Sequence, residues 1–180
     1  MIEQQLIDYV TKHNAETQAW VDAKEGRWAG FIPTETSWFE SNGWTTLKSY
    51  KRAMLEESAY YMCADAYSKS YARAMNFKMK TNAELDALIE EYSKTIDADL
   101  KEQSEWEEKC VVTFKSILDH TVAHGAGDEK TALRWLVDDS KFYSVQCIES
   151  FVYGYGILFT KYGKEVVEQL KTIVTFEEYA

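Results

Sequence analysis

The 81 residues from Trp44 to His124 contain neither glycine nor proline. These two residues are the main interrupters of helices, so a run of this length commits the middle of the chain to long helices. Charge is segregated along the same run. Thr46 to Lys80 carries seven bases (Lys48, Lys51, Arg52, Lys69, Arg73, Lys78, Lys80) against Glu56, Glu57 and Asp65, a net of +4. Glu84 to Glu108 carries ten acids (Glu84, Asp86, Glu90, Glu91, Asp97, Asp99, Glu102, Glu105, Glu107, Glu108) against Lys94 and Lys101, a net of −8 in a chain of −10 overall.

Apolar spacing divides the chain into helices. Ile2, Leu6, Tyr9, Val10, His13, Thr17, Trp20 and Val21 recur at three-four intervals and predict a first helix over Ile2 to Ala23. Residues 25–44 follow, with Gly26, Gly30, Gly43, the single proline Pro33, and the aromatics Trp28, Phe31, Trp38, Phe39 and Trp44. This composition predicts an ordered loop pinned by aromatic side chains, its Asn42-Gly43 turn compatible with a short hairpin. Thr45 or Thr46 can cap a second helix whose stripe Tyr60, Cys63, Ala64, Tyr67, Tyr71, Ala74, Met75 extends it to about Phe77.

Thr81-Asn82-Ala83-Glu84 has the form of a capping box, and Leu85, Leu88, Ile89, Tyr92, Ile96 and Leu100 give the next helix its buried face. Ser104-Glu105-Trp106-Glu107 has the same form, which predicts a restart there, with one continuous helix as the alternative. Trp106, Cys110, Val111, Phe114, Ile117 and Leu118 are then buried, and Gly125 stops the element. The two arms, about 46–77 and 82–124, form a long central antiparallel hairpin.

Asp128 can cap a short helix to Val137. Phe142 to Tyr162 is the most apolar stretch, but Gln146 and Glu149 inside it argue for a buried helix rather than a membrane span. Gly154 and Gly156 there point to close helix contact or to a strand pair. Gly163 is read as a stop, with a last amphipathic helix over Lys164 to Val174. The expectation is an all-α, single-domain bundle of six to seven helices over residues 1–180.

Three widely spaced cysteines (Cys63, Cys110, Cys147) imply reduced thiols packed on apolar faces, and an N-terminus with acids where a leader needs bases implies a cytoplasmic protein. Acidic balance disfavours direct contact with nucleic-acid phosphates or membrane surfaces and favours basic partners. His120 and His124, spaced i,i+4, are the metal candidates, with no third ligand in the same stack. Gly125 to Thr131 places glycines before a Lys-Thr pair, as a phosphate loop does, but Glu129 stands where that loop needs glycine. The tyrosines Tyr50, Tyr60, Tyr61, Tyr67 and Tyr71 are a stacking surface or core. No catalytic motif is found and no cofactor is expected.

The leading expectation is therefore a non-enzymatic protein binding a basic surface of a partner protein. It is of the kind that serves as an adaptor, or as an inhibitor, immunity or anti-defence factor blocking a nucleic-acid-acting enzyme. Its contact residues are Glu84, Asp86, Glu90, Glu91, Asp97, Asp99, Glu102, Glu105 and Glu108, with Trp28, Trp38 and Trp44 as anchors. Two alternatives stand beside it: a small-molecule- or metal-binding bundle, and a structural subunit that forms a homo-oligomer.

Overall fold

The computed structural model describes residues 1–177. They form eight α-helices and, among the described residues, no strand: α1 (Gln4–Asp22), α2 (Thr36–Ser41), α3 (Leu47–Ala66), α4 (Lys69–Ala74), α5 (Asn82–Thr121), α6 (Glu129–Val137), α7 (Val145–Gly154) and α8 (Lys161–Lys171). The chain packs as two compact units that divide at Asp97/Ala98, inside the 40-residue α5. Among the described residues no helix is long and apolar enough to cross a membrane.

The first unit has two cores. Leu6 and Val10 of α1 close on Phe39 and Tyr50, with Trp38, Trp44, Leu47 and Met54 packed around them. The segment 25–44 contains the six-residue α2 rather than a hairpin, and Gly43 at φ +73 ends it in the left-handed conformation glycine favours. Edge-on contacts of Trp44 with Trp38 (5.1 Å) and Tyr50 (5.6 Å) pin it as expected. Polar contacts pin the rest: the Asn14 amide donates to the Ile32 carbonyl at 2.7 Å and accepts its N–H at 3.0 Å.

The second core joins Ala59, Cys63 and Ala66 of α3 to Ala72, Phe77, Leu85 and Tyr92. Here the expected hairpin is corrected. The first arm breaks after Ala66, where Ser68 accepts a bond from the Tyr71 N–H and starts α4. A 3₁₀ turn over Phe77–Met79 completes the return, so that α5 begins beside the start of α3 and runs in the same direction. Arg52 in α3 bonds Asn82 at 2.6 Å, and Tyr67 just past the far end of α3 meets Tyr92 edge-on at 5.8 Å. The reversal is needed because Phe77 and Ala72 are buried only if the chain folds back onto α3. Arg52 fastens it, donating also to the carbonyls of Lys80 (2.5 Å) and Phe77 (3.3 Å) while pairing with Glu56 at 2.7 Å.

The second unit packs Phe114 and Leu118 of α5 with Leu133, Ile148, Val152, Ile157, Val166 and Leu170. Asp128 caps α6 through the Thr131 N–H at 2.8 Å. α5 ends in a π turn over Val122–Ala126, with Gly125 at φ +120 stopping it as the sequence predicts. The apolar stretch 142–162 is helical in α7 and then turns, which removes the strand-pair alternative. Gly163 is not a stop: it lies inside the first turn of α8, capped by Thr160, where an added Cβ would stand 1.8 Å from the Ile157 carbonyl oxygen.

Candidate partner-binding surface

α5 is one helix from Asn82 to Thr121, and the restart predicted at Ser104 does not occur. The reason is local. Glu107, which a capping box would turn back toward Ser104, instead accepts a bond from the Gln103 amide at 2.7 Å, and good helix formers fill the neighbouring positions. The box at Thr81 does form. The Glu84 carboxylate accepts from the Thr81 N–H and hydroxyl, both at 2.7 Å, and these bonds hold its carboxyl below the usual glutamate range.

Every one of the ten acids from Glu84 to Glu108 is exposed except Glu107, which is half-buried. Two have a cation within ion-pair distance: Glu90 with Lys94 at 2.6 Å, which lowers the Glu90 carboxyl, and Glu105 with Lys101 at 3.9 Å. Lys101 pairs with Glu105 rather than with Asp97, which is also four residues away, Glu105 having the longer reach. Among the described residues the other eight acids have no ion pair, and no base of α3 or α4 bridges to them. Arg52 is engaged by Glu56, and Lys51 lies over the Tyr9 ring at 4.7 Å. The field of the segment is therefore negative and uncancelled at close range.

The distribution of these acids differs from a single ridge. At about 100° per residue, Glu90, Glu91, Asp97, Glu105 and Glu108 fall on the side away from the buried stripe of α5, Glu84, Asp86 and Glu102 flank it, and Asp99 and Glu107 fall on it. The ten consecutive residues 97–106 are all exposed. Leu100, expected in the core, is 63% exposed, and Trp106, also expected there, is 50% exposed. α5 is open to solvent on all sides over this stretch, a state that ion pairs and solvation must sustain without a buried core.

Trp106 leads to a feature that sequence reasoning missed. Just beyond the bare stretch the second unit carries a groove of about 580 Å³ with Trp106, Tyr153 and Phe159 in its walls and Gln103, Glu107 and Cys110 along α5. Tyr153 is 62% and Phe159 71% exposed, and their rings meet edge-on at 6.2 Å. Gly156, at φ +74, lets the turn after α7 lie directly against α5. A Cβ there would meet the Trp106 ring at 2.7 Å and the Cys110 sulfur at 2.8 Å. The Gly154/Gly156 pair was the available signal.

The remaining sequence candidates separate. Trp38 and Trp44 are half-buried packing residues of the first unit, while Trp28 is 84% exposed. His120 and His124 stack face to face, 3.9 Å between ring centroids, with His124 Nδ1 donating to the His120 carbonyl at 2.8 Å. Stacked rings turn faces rather than nitrogens toward each other, and no group of three His, Cys, Asp or Glu side chains able to hold a metal is assembled among the described residues. Of the tyrosines, Tyr50 is core, whereas Tyr61, Tyr67 and Tyr71 are exposed. Cys63 is buried, and Cys110 and Cys147 are half-buried free thiols. In comparisons with known proteins, no family model, no curated protein and no solved structure matches the chain.

Proposed function

We propose that this protein acts by binding, presenting the acidic middle of α5 to a basic surface of a partner protein. The observation that carries the reading is the set of eight exposed or half-exposed carboxylates of Glu84–Glu108 left without a cation. Uncancelled charge of one sign steers an oppositely charged surface and penalises like-charged ones. Phosphate groups of nucleic acids and anionic lipids are repelled by the same field, so the partner is a basic protein. A protein whose own basic face handles nucleic acid fits that description, which makes an inhibitor or immunity role the natural biological form of the binding.

The test is capture of partners from source lysate at low and physiological salt, using the wild type and a Glu90→Gln/Glu91→Gln/Asp97→Asn/Asp99→Asn variant. Both added salt and the amides are expected to weaken capture severalfold. A partner retained equally under all four conditions refutes the reading.

A further inference from the structure

We infer that the groove of Trp106, Tyr153 and Phe159 receives an arginine side chain of the basic partner, a step that rests on the binding reading above and specifies its chemistry. Three half-exposed to exposed aromatic rings converge around one concavity in the second unit. Its volume lies within the range of about 300–1,000 Å³ common to ligand clefts, room for a side chain together with the backbone that bears it. Aromatic faces carry negative quadrupole charge and attract cations, Trp most strongly.

The one charged residue lining the groove, among the described residues, is Glu107. The Gln103 amide holds its Oε1 at 2.7 Å, and no hydrogen bond engages its Oε2 among the described residues, which leaves that atom for an incoming donor. Asp99 and Glu102 share an arc of roughly 100° with Gln103, Trp106 and Cys110 on α5, so the negative field continues from the groove along the same side of the helix. A planar guanidinium can stack on a ring and donate sideways to a carboxylate at once, which the compact ammonium of lysine does less well. A second copy of this chain, itself at −10, would meet like charge at this place. A phosphate-bearing ligand would meet Glu107.

Calorimetric titration with hexa-arginine and hexalysine peptides tests the inference, alongside the Trp106 indole N–H signal in ¹⁵N spectra, assigned by its loss in Trp106→Phe. The wild type is expected to prefer hexa-arginine severalfold, with the Trp106 signal shifting on binding. Tyr153→Ala/Phe159→Ala should weaken hexa-arginine severalfold and leave hexalysine nearly unchanged, abolishing the preference. Both side chains are more than half exposed, so the fold should survive, which circular dichroism checks. Glu107→Gln offers a second variant, with a smaller loss in the same direction.

Equal affinities for the two peptides in the wild type, or a preference untouched by the Tyr153/Phe159 variant, overturn the groove inference. The acidic-surface reading then survives if Glu90→Gln/Glu91→Gln/Asp97→Asn still weakens both peptides. Loss of the arginine preference in the groove variant, combined with no effect of those amides, supports the groove and sinks the broader reading. A dimer seen by light scattering and dissolved by Tyr153→Ala/Phe159→Ala would also overturn the inference, by giving the groove a different occupant.

Discussion

Replacing Glu102 and Glu108 with glutamine should make the middle of α5 more stable, not less. Within residues 97–106 no side chain is buried, so that, apart from the contacts of Gln103 and Trp106 at the groove, local interactions sustain the helix there. Asp99–Glu102, Glu102–Glu105 and Glu105–Glu108 are like-charge neighbours at i,i+3, each costing roughly 0.2–0.5 kcal/mol. The double variant removes all three repulsions and leaves the Lys101–Glu105 pair in place. Glutamine matches glutamate in helix propensity, and both positions are far from the helix ends, where the macrodipole would matter. The expected relief is therefore about 0.6–1.5 kcal/mol.

Amide hydrogen exchange reads this locally, because the bare stretch can open without unfolding either core. In the wild type, amides around residues 99–106 should exchange faster than those of 88–96 and 112–118, although they lie at the centre of the helix. In Glu102→Gln/Glu108→Gln at low salt, exchange of these central amides, after division by intrinsic rates, should slow about threefold to tenfold. In 1 M salt, where screening falls to about 3 Å, the difference should nearly vanish. Central amides as protected as their flanks, or a variant that exchanges as fast as the wild type at low salt, would refute the reasoning.

Three further outcomes are expected. Arg52→Met should destabilise the first unit by about 2–3 kcal/mol in urea titration, because a half-buried guanidinium that ties Glu56, Asn82 and the carbonyls of Phe77 and Lys80 is lost; Arg52→Lys should recover little of it. Gly163→Ala, which raises helix propensity, should nonetheless lower thermal stability by about 3 kcal/mol, since its Cβ would collide with the Ile157 backbone. The Glu84 carboxyl should titrate in ¹³C spectra below the unfolded glutamate value: its pKa is depressed in the fold, so its contribution to stability is present above the unfolded pKa and lost as pH falls through the folded one. Glu84→Gln should remove that dependence.

Where local chemistry decides structure, the sequence was readable. The caps at Thr46, Thr81 and Asp128, the stop at Gly125, the stripe Leu85–Ile96 and the first helix all follow from residue type and spacing. The break at Tyr67 was hidden because the apolar spacing continues through it, and Ser68 marks it by a single side-chain bond. α2 is too short for periodicity and has no side-chain cap at Glu35. The exposure of Leu100 and Trp106 was not legible at all, because periodicity names the face a helix would bury and is silent on whether anything covers it. The acids of the candidate site were thus found by counting, while Tyr153 and Phe159 required the turn at Gly156 to be seen against α5.

The location of those acids bears on why they are there. A helix segment without tertiary support is best stabilised by alternating glutamate and lysine at i,i+4, which also keeps it well solvated. From Asp97 to Glu108 the chain instead carries six acids and one base, Lys101, a net of −5. Solubility does not require that imbalance, and folding is opposed by it, since each uncompensated acid adds repulsion where no core offsets it. Natural proteins retain residues that oppose stability mainly where function uses them. In the function proposed above, the bare, acidic centre of α5 and the aromatic groove beside it are such a place: one would supply long-range attraction for a basic chain, and the other short-range contacts that distinguish arginine from lysine. If neutralising Glu102 and Glu108 failed to stabilise the helix, the acids would carry no cost there, and their position would lose its weight in favour of binding.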